Sequence, residues 1–545
     1  MTAWLPDLIY TGGGRFESGL ALVSDGAGRI TQLTRDVERI AGTARVVRLK
    51  NRALLPGLVN AHSHAFQRVI RGRTERRVAA HDSFWTWREM MYAAATGLSP
   101  DDLYDASRMA FLEMAASGIS AVGEFHYLHY TPEGTRYADE NELAKQVVRA
   151  ARDVGLRIAL LRVAYARAGW NEPPNARQAR FIERDAQAFL RQTETLKKDI
   201  ARQASNTVEG SNTFAVSNNI EARGEGETGG AAATGAAASA IKARASADGA
   251  WVGVAPHSVR AVPLEYLREV NAFAAEHDLP VHMHVAEQPA EVAACLEEHG
   301  RTPVALLADE GMLSERFTAV HAVHVTPEEA RSLARARAQV CACPTTERNL
   351  GDGIIPADTL LDAGVRLSLG SDSHTQIDLL EDARELEYHL RLQKLERAVL
   401  APAQGARATD TNASRVAAPE TDVETDSLAA LAARLFECAA ANGAASIGAP
   451  VNSGVVGHGN GALEDGTGGA LKVGGLADFF TVALDDLSIA GAGPDDLLPA
   501  IVFSLARTAV RDTVVGGRRI VEDGQHRAQV EIIECFKGLQ RKLWR

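Results

Sequence analysis

Residues 57–67 read GLVNAHSHAFQ, a run of small and apolar residues that ends in two histidines one residue apart. Side chains alternate faces along a strand, so His62 and His64 point the same way. Two imidazoles on one buried face are costly unless something binds them, and a metal ion is the obvious partner. An HxH alone reads equally well as the polar end of an ordinary strand. The rest of the chain has to decide.

From about residue 55 to 375, short β-like runs alternate with amphipathic stretches. The runs are GLVNAHSH, SAVGEFHY, LRIALLRVAY, WVGVAPHS, PVHMHVAE, FTAVHAVHV, QVCACPTTE and VRLSLGSDSH. Helix starts are marked by Ser99 before PDDLYDASRMAFLEMAASG, Thr326 before PEEARSLARARA and Pro263 before LEYLREVNAFAAEHD. Eight strands, each followed by a helix, predict an α/β fold of the (β/α)8 TIM-type barrel kind. The runs are mostly apolar, as expected of strands covered on both faces. Their polar residues fall at or just past the C-terminal ends: His62, His64, His126, His257, His284, Glu287, His321 and Asp372. In a barrel these ends share one rim, where catalysis takes place. One such histidine has a ready structural explanation. Six of eight strands ending in His or Asp point to a metal-dependent enzyme.

Residues 1–55 do not share this repeat. LIYTGGGRFESGLALVSDGAGRITQL reads as short strands joined by glycine turns, and LKVGGLADFFTVALD and DTVVGGRRIVEDGQ near the other end are alike in kind. The expected organisation is a small β-sandwich built from both chain ends. Residues 1–55 and 449–530 form it, residues 56–448 form the barrel, and residues 531–545 form a C-terminal helix. Residues 221–250 contain 18 Ala or Gly in 30 and almost no large apolar residue. Roughly 200–249 therefore reads as a mobile loop, and about 401–425 and 451–469 as similar surface insertions. A partner-binding role for these segments is the alternative.

A chain of 545 residues that is 46% hydrophobic and 23% charged has a globular composition, and its net charge is −12. That balance argues against a nucleic-acid or anionic-membrane binder. The N-terminus lacks the basic and apolar regions of a signal peptide, and no apolar window is long enough to span a membrane. The five cysteines are few and odd in number, which fits a reducing cytoplasm better than a disulfide framework. Cys341 and Cys343 read as buried core residues, with a metal site as the alternative. No CxxC is present, which removes zinc-finger readings.

His62, His64, His284 and Asp372 together suit one Zn²⁺ or similar divalent ion per chain, with a position left for water. Such an ion lowers the pKa of its water to about 7, and Asp372 can ligate and take that proton. In HMHVAEQ, His282 and His284 face the same way; His284 is nearer the rim and is the expected ligand, with His282 packed below it. Glu287 is the expected proton shuttle to a leaving amine; a surface glutamate opening a helix is its alternative. His321 is expected to stabilise a tetrahedral intermediate, with His324 the weaker candidate.

This layout resembles the amidohydrolase superfamily, and the H-x-x-E resembles its single-metal deaminase branch. The fourth strand lacks the lysine that two-metal branches usually carry. NAHSHAFQRVIRGRTE, DSFWTWREMMY, GEFHYLHY, APHSVRAV, HMHVAEQ and GSDSH closely resemble the formimidoylglutamate deiminases of histidine degradation, over nearly the whole chain apart from the insertions. The resemblance implies hydrolysis of N-formimino-L-glutamate to N-formyl-L-glutamate and ammonia. It implies a small-molecule substrate whose two carboxylates Arg88 and Arg260 would hold, with Gln67, Tyr127 and His257 as further substrate contacts. A homodimer is a family-level expectation. Arg162 and Arg167 have no assigned place. The alternatives are an aminohydrolase of the same branch acting on a guanine, cytosine or triazine ring, formimino hydrolysis on another amino acid, and a catalytically dead barrel.

Overall fold

The computed structural model describes residues 1–37, 39, 42–75, 84–173, 175–212, 249–402, 420–449 and 471–544. The insertion assigned to 451–469 lies outside them, as do most of 200–249 and 401–425. Two helices reach into those segments: one runs Ala186–Asn212 and another Glu420–Ala439. The first of these corrects the loop expected from residue 200, because composition marks poor core formers but not where a helix stops.

The N-terminal strands are β1 (Thr2–Gly12), β2 (Arg15–Ser18), β3 (Ala21–Ser24), β4 (Ile30–Thr34) and β5 (Arg45–Pro56). Near the other end come β14 (Phe479–Ala483), β15 (Val510–Val515), β16 (Arg518–Glu522) and β17 (Gln525–His526). All nine form one mixed sheet in which β14 joins the two ends by pairing with β5. Gly516 and Gly517, both at positive φ, make the tight turn between β15 and β16. The sheet folds over on itself. Register places Trp4 beside Val47 and Phe479 beside Pro56, about 30 Å apart along an extended strand. Yet the Trp4 and Phe479 rings meet at 5.2 Å. Between them β5 shifts register at Asn51, whose φ is 59°. The fold-over encloses a core of its own that includes Trp4, Ile9, Leu22, Leu54 and Phe479.

The second sheet has eight parallel strands in chain order: β6 (Leu58–Ser63), β7 (Ile119–His126), β8 (Arg157–Ala164), β9 (Ala250–Pro256), β10 (Val281–Val285), β11 (Phe317–His321), β12 (Gln339–Ala342) and β13 (Arg366–Leu369). Helices follow the strands. The helix after Ser99 begins with a capping box: Asp102 N–H donates to Ser99 Oγ at 3.2 Å, and Ser99 N–H donates to the Asp102 carboxylate at 2.9 Å. Thr326 and Glu329 do the same for Pro327–Arg335. QVCACPTTE is strand only in its first part, since Pro344–Leu350 is helical.

The barrel closes where its last strand meets its first. Asp372 N–H donates to His62 O at 3.0 Å, and His64 N–H to Asp372 O at 3.1 Å. Gly370 permits this approach, because a Cβ there would lie 2.7 Å from His62 Cβ.

Candidate active site

β6 ends at His62-Ser63, and His64 follows directly. Ser63 faces the opposite way from the two histidines, and its hydroxyl donates to Glu124 Oε2 at 2.6 Å. Glu124 Oε1 accepts the Ala65 N–H at 2.7 Å, so one buried carboxyl from β7 anchors the turn that carries both imidazoles. His62 Nε2 lies 3.2 Å from His64 Nε2 and 3.1 Å from His284 Nε2. Asp372 Oδ1 is 3.1 Å from both His62 Nε2 and His64 Nε2. Donors around a tetrahedral ion with bonds of 2.0–2.1 Å stand about 3.3 Å apart. One Nε2 proton cannot serve the three neighbours of His62, whereas one cation between them can.

The protonation states agree. His64 Nδ1 is 3.0 Å from the Phe125 carbonyl, which fixes the tautomer whose Nε2 lone pair faces the cluster. Burial pushes the His62 imidazolium pKa down to about 3 and that of His284 well below its usual range, leaving neutral rings. Burial alone would raise Asp372, but its contacts with His62 and His64 hold it well below the usual carboxyl range. Neutral imidazoles and a carboxylate are the forms a divalent ion requires, so these residues fit one.

Glu287 follows the end of β10. Ala286 before it has φ 53°, and Glu291 accepts the backbone N–H of both Ala286 and Glu287 at 3.2 Å, so the bend that aims Glu287 is pinned. Glu287 Oε1 stands 3.5 Å from His321 Nε2. Burial raises the Glu287 carboxyl to about 7 against the pull of His321, a value at which it can both take and give a proton near neutrality. Burial would lower His321, but Glu287 and Glu347 outweigh it and hold the imidazolium well above its usual range. Ala286, His321, Ala322, Asp372 and His374 are five of the twelve non-glycine residues with positive φ among the described residues. Backbone strain is thus concentrated at this rim.

Gln67, Arg88, Tyr127, His257 and Arg260 line the same cleft. Gln67 Nε2 donates to Tyr127 Oη at 2.9 Å, and the His257 ring packs on His284 at 4.9 Å. Tyr92 and Tyr165 also line it and were not read from sequence. Gln178 donates to both phenol oxygens at 2.8 Å. Tyr92 was detectable: it lies four residues after Arg88 on one helix, which places the two on one face.

Several histidines at the strand ends are not part of the cluster. Phe125 turns inward against His62 and His284, at 5.0 and 4.4 Å, so its neighbour His126 turns outward and packs on His129. His282 Nε2 contacts the Ser446 carbonyl at 2.9 Å, and His324 Nε2 contacts the Asp352 carbonyl at 2.9 Å. Arg162 is buried outside the cleft, donating to Gln192 Oε1 at 2.5 Å, and Arg167 pairs with Glu298 at 2.7 Å. Cys341 and Cys343 are buried.

The amidohydrolase family profile matches residues 53–462. A formimidoylglutamate deiminase from Pseudomonas aeruginosa is 33% identical over 485 residues, 89% of this chain and 88% of the relative. An 8-oxoguanine deaminase from the same organism is 26% identical over 395 residues, 72% of this chain and 75% of the relative. Among solved structures, an amidohydrolase from Brucella melitensis covers 100% of both chains at TM-score 0.77 and 31% identity. A zinc-complexed atrazine chlorohydrolase from Arthrobacter aurescens covers 99% of this chain and 100% of its own at TM-score 0.72 and 19% identity, a likeness of fold.

Proposed function

The chain belongs to the amidohydrolase family, and on that premise we propose that it hydrolyses N-formimino-L-glutamate to N-formyl-L-glutamate and ammonia. That it is a hydrolase acting on C–N bonds follows from the family and from its deiminase relative. The observation that carries the narrower reading is that Arg88 and Arg260 line the cleft that also holds the His62, His64, His284 and Asp372 cluster. A ligand with two carboxylates needs two cations, and guanidinium groups bind carboxylates in a bidentate fashion.

His62, His64, His284 and Asp372 would hold one divalent ion, Zn²⁺ by the choice of imidazole and carboxylate donors. When bound, the ion supplies Lewis acidity, which makes water a nucleophile at neutral pH. The chain's own groups do the rest. Asp372 and Glu287 accept the protons of the attacking water. The water oxygen adds to the formimino carbon, and His321 stabilises the tetrahedral adduct that results. Both protons then pass to the terminal nitrogen, with Glu287 delivering them to it. The bond from carbon to that nitrogen breaks, ammonia leaves, and the carbonyl of the formyl group forms. Gln67 and Tyr127, already hydrogen-bonded to each other, orient the formimino group, and His257 with the two arginines orients the glutamate part.

Release of ammonia from N-formimino-L-glutamate by the zinc-loaded chain, run beside guanine and N-formimino-L-aspartate, tests this reading. Rapid release from the first alone supports it. Release from guanine alone assigns the site to a ring substrate held between aromatic walls such as Tyr92 and Phe181.

A further inference from the structure

Glu347 has no part in the chemistry above. It lies on the helix Pro344–Leu350 that follows β12, and it is 1% exposed. Its Oε1 accepts the Cys343 backbone N–H at 2.8 Å and faces His321 Nδ1 at 3.3 Å. Leaving a buried carboxylate without donors is expensive, so both contacts matter to it. The Cys343 contact fixes where the oxygen sits, and an oxygen that only accepts then requires the proton to be on Nδ1 of the facing imidazole.

The consequence appears on the other side of the ring. With Nδ1–H directed at Glu347, the nitrogen turned toward Glu287 is Nε2, at 3.5 Å. The His321 ring is also stacked on the ligand His284, centroids 5.4 Å apart and planes 21° apart. Its backbone is left-handed, φ 71°, followed by Ala322 at φ 50°. A strained backbone and a stacked neighbour set where the ring is, but neither fixes which nitrogen faces the cleft. Glu347 is the group placed to do so.

His321, Cys343 and Glu347 also bring three donor atoms within 4.8 Å of one another, which is the arrangement of a small metal site. Against that reading, Glu347 already engages His321 Nδ1, and burial pushes the Cys343 thiol well above its usual range, away from the thiolate that binds metals.

We propose that Glu347 is the positioning residue for His321, engaging its Nδ1–H so that Nε2 faces Glu287 and the reacting centre. A buried carboxylate serves an imidazole in this way in hydrolases of unrelated fold. The kinetic arm of the test rests on the deiminase reading, while the spectroscopic arm does not.

The test is a double-substitution cycle on the full, metal-loaded chain. Glu347→Met removes both acceptor contacts, Glu347→Gln keeps an acceptor oxygen, and each is combined with His321→Asn. With N-formimino-L-glutamate, Glu347→Met should lower kcat about 100-fold with KM within about threefold, and Glu347→Gln should recover most of the loss. Neither should lower kcat further in the His321→Asn background, while bound metal and the melting midpoint stay near wild type. Equal losses in both backgrounds would overturn the assignment. If Glu347→Met does not fold, the NMR readout on the wild-type chain decides. ¹⁵N-histidine NMR supplies the readout independent of turnover, with His321→Asn identifying the signals. A proton on Nδ1 of His321, lost or exchanging in the Glu347 variant, supports the proposal. An Nδ1 of His321 that carries no proton in the wild-type chain sinks it, whether or not ammonia is released.

Discussion

The backbone N–H of Asp372 donates to the carbonyl of His62 at 3.0 Å, while the carboxylate of Asp372 lies 3.1 Å from Nε2 of the same residue. The hydrogen bonds that close the barrel and the donor atoms of the candidate metal cluster therefore belong to the same residues. Closure positions these donor atoms, and an ion bound by them would tie the last strand to the first.

Metal removal should for that reason lower stability as well as activity. A ligand that binds only the folded state adds ~2.7 kcal/mol at 100 times its Kd. Chelation should lower the melting midpoint, zinc should restore it, and Asp372→Asn should weaken the response to zinc. A midpoint that ignores chelator in a chain shown to have carried metal would contradict the account.

Glu287→Gln should lower kcat about 10²–10⁴-fold, the usual range for a general acid–base group. Bound metal should stay at the wild-type level, because Glu287 is outside the ligand cluster. Metal analysis beside steady-state kinetics checks both, and loss of metal in this variant would show the role to be misassigned.

Arg260→Ala should act on binding. Losing a charged hydrogen bond to a carboxylate removes about 1.5–3 kcal/mol, a rise in KM of roughly 10–150-fold. An unchanged KM for N-formimino-L-glutamate would remove Arg260 from the carboxylate site.

Glu113 offers a test of stability away from the cleft. It pairs with Arg71 at 2.7 Å, Arg68 at 3.0 Å and Arg507 at 3.0 Å. Burial opposes its charge, but Arg71 and Arg68 outweigh that and bring the carboxyl down to about 2. A depressed carboxyl stabilises the fold above its unfolded pKa, near 4.5, and the gain fades as pH falls toward 2. Glu113→Gln should cost about 3 kcal/mol at pH 7, as broken buried pairs do. Denaturant unfolding at pH 7, 4 and 3 should show the gap between wild type and variant closing. A gap that does not change with pH would count against the charge network.

The barrel was legible because its strands are mostly apolar runs, and six of the eight end in a His or Asp on the rim. The donor cluster was legible because His62, His64, His284 and Asp372 stand at such ends. His126 stands there too and turns outward. A strand's period gives relative facing, and only the packing of Phe125 shows which face is the interior. Tyr165, Gln178 and Glu347 were illegible because their partners are distant in sequence: Gln178 spans from Tyr92 to Tyr165, and Glu347 reaches back to His321. The strain at Ala286, His321 and Asp372 was illegible as well, since no residue type there announces a positive φ.

The central claim is tested most directly by following N-formimino-L-glutamate with the metal-loaded chain by NMR and identifying the products. The account predicts N-formyl-L-glutamate and an equal amount of ammonia, with no free glutamate. Formation of glutamate and formamide would mean that the other C–N bond breaks, and an unchanged substrate in the presence of a filled metal site would contradict the assignment outright.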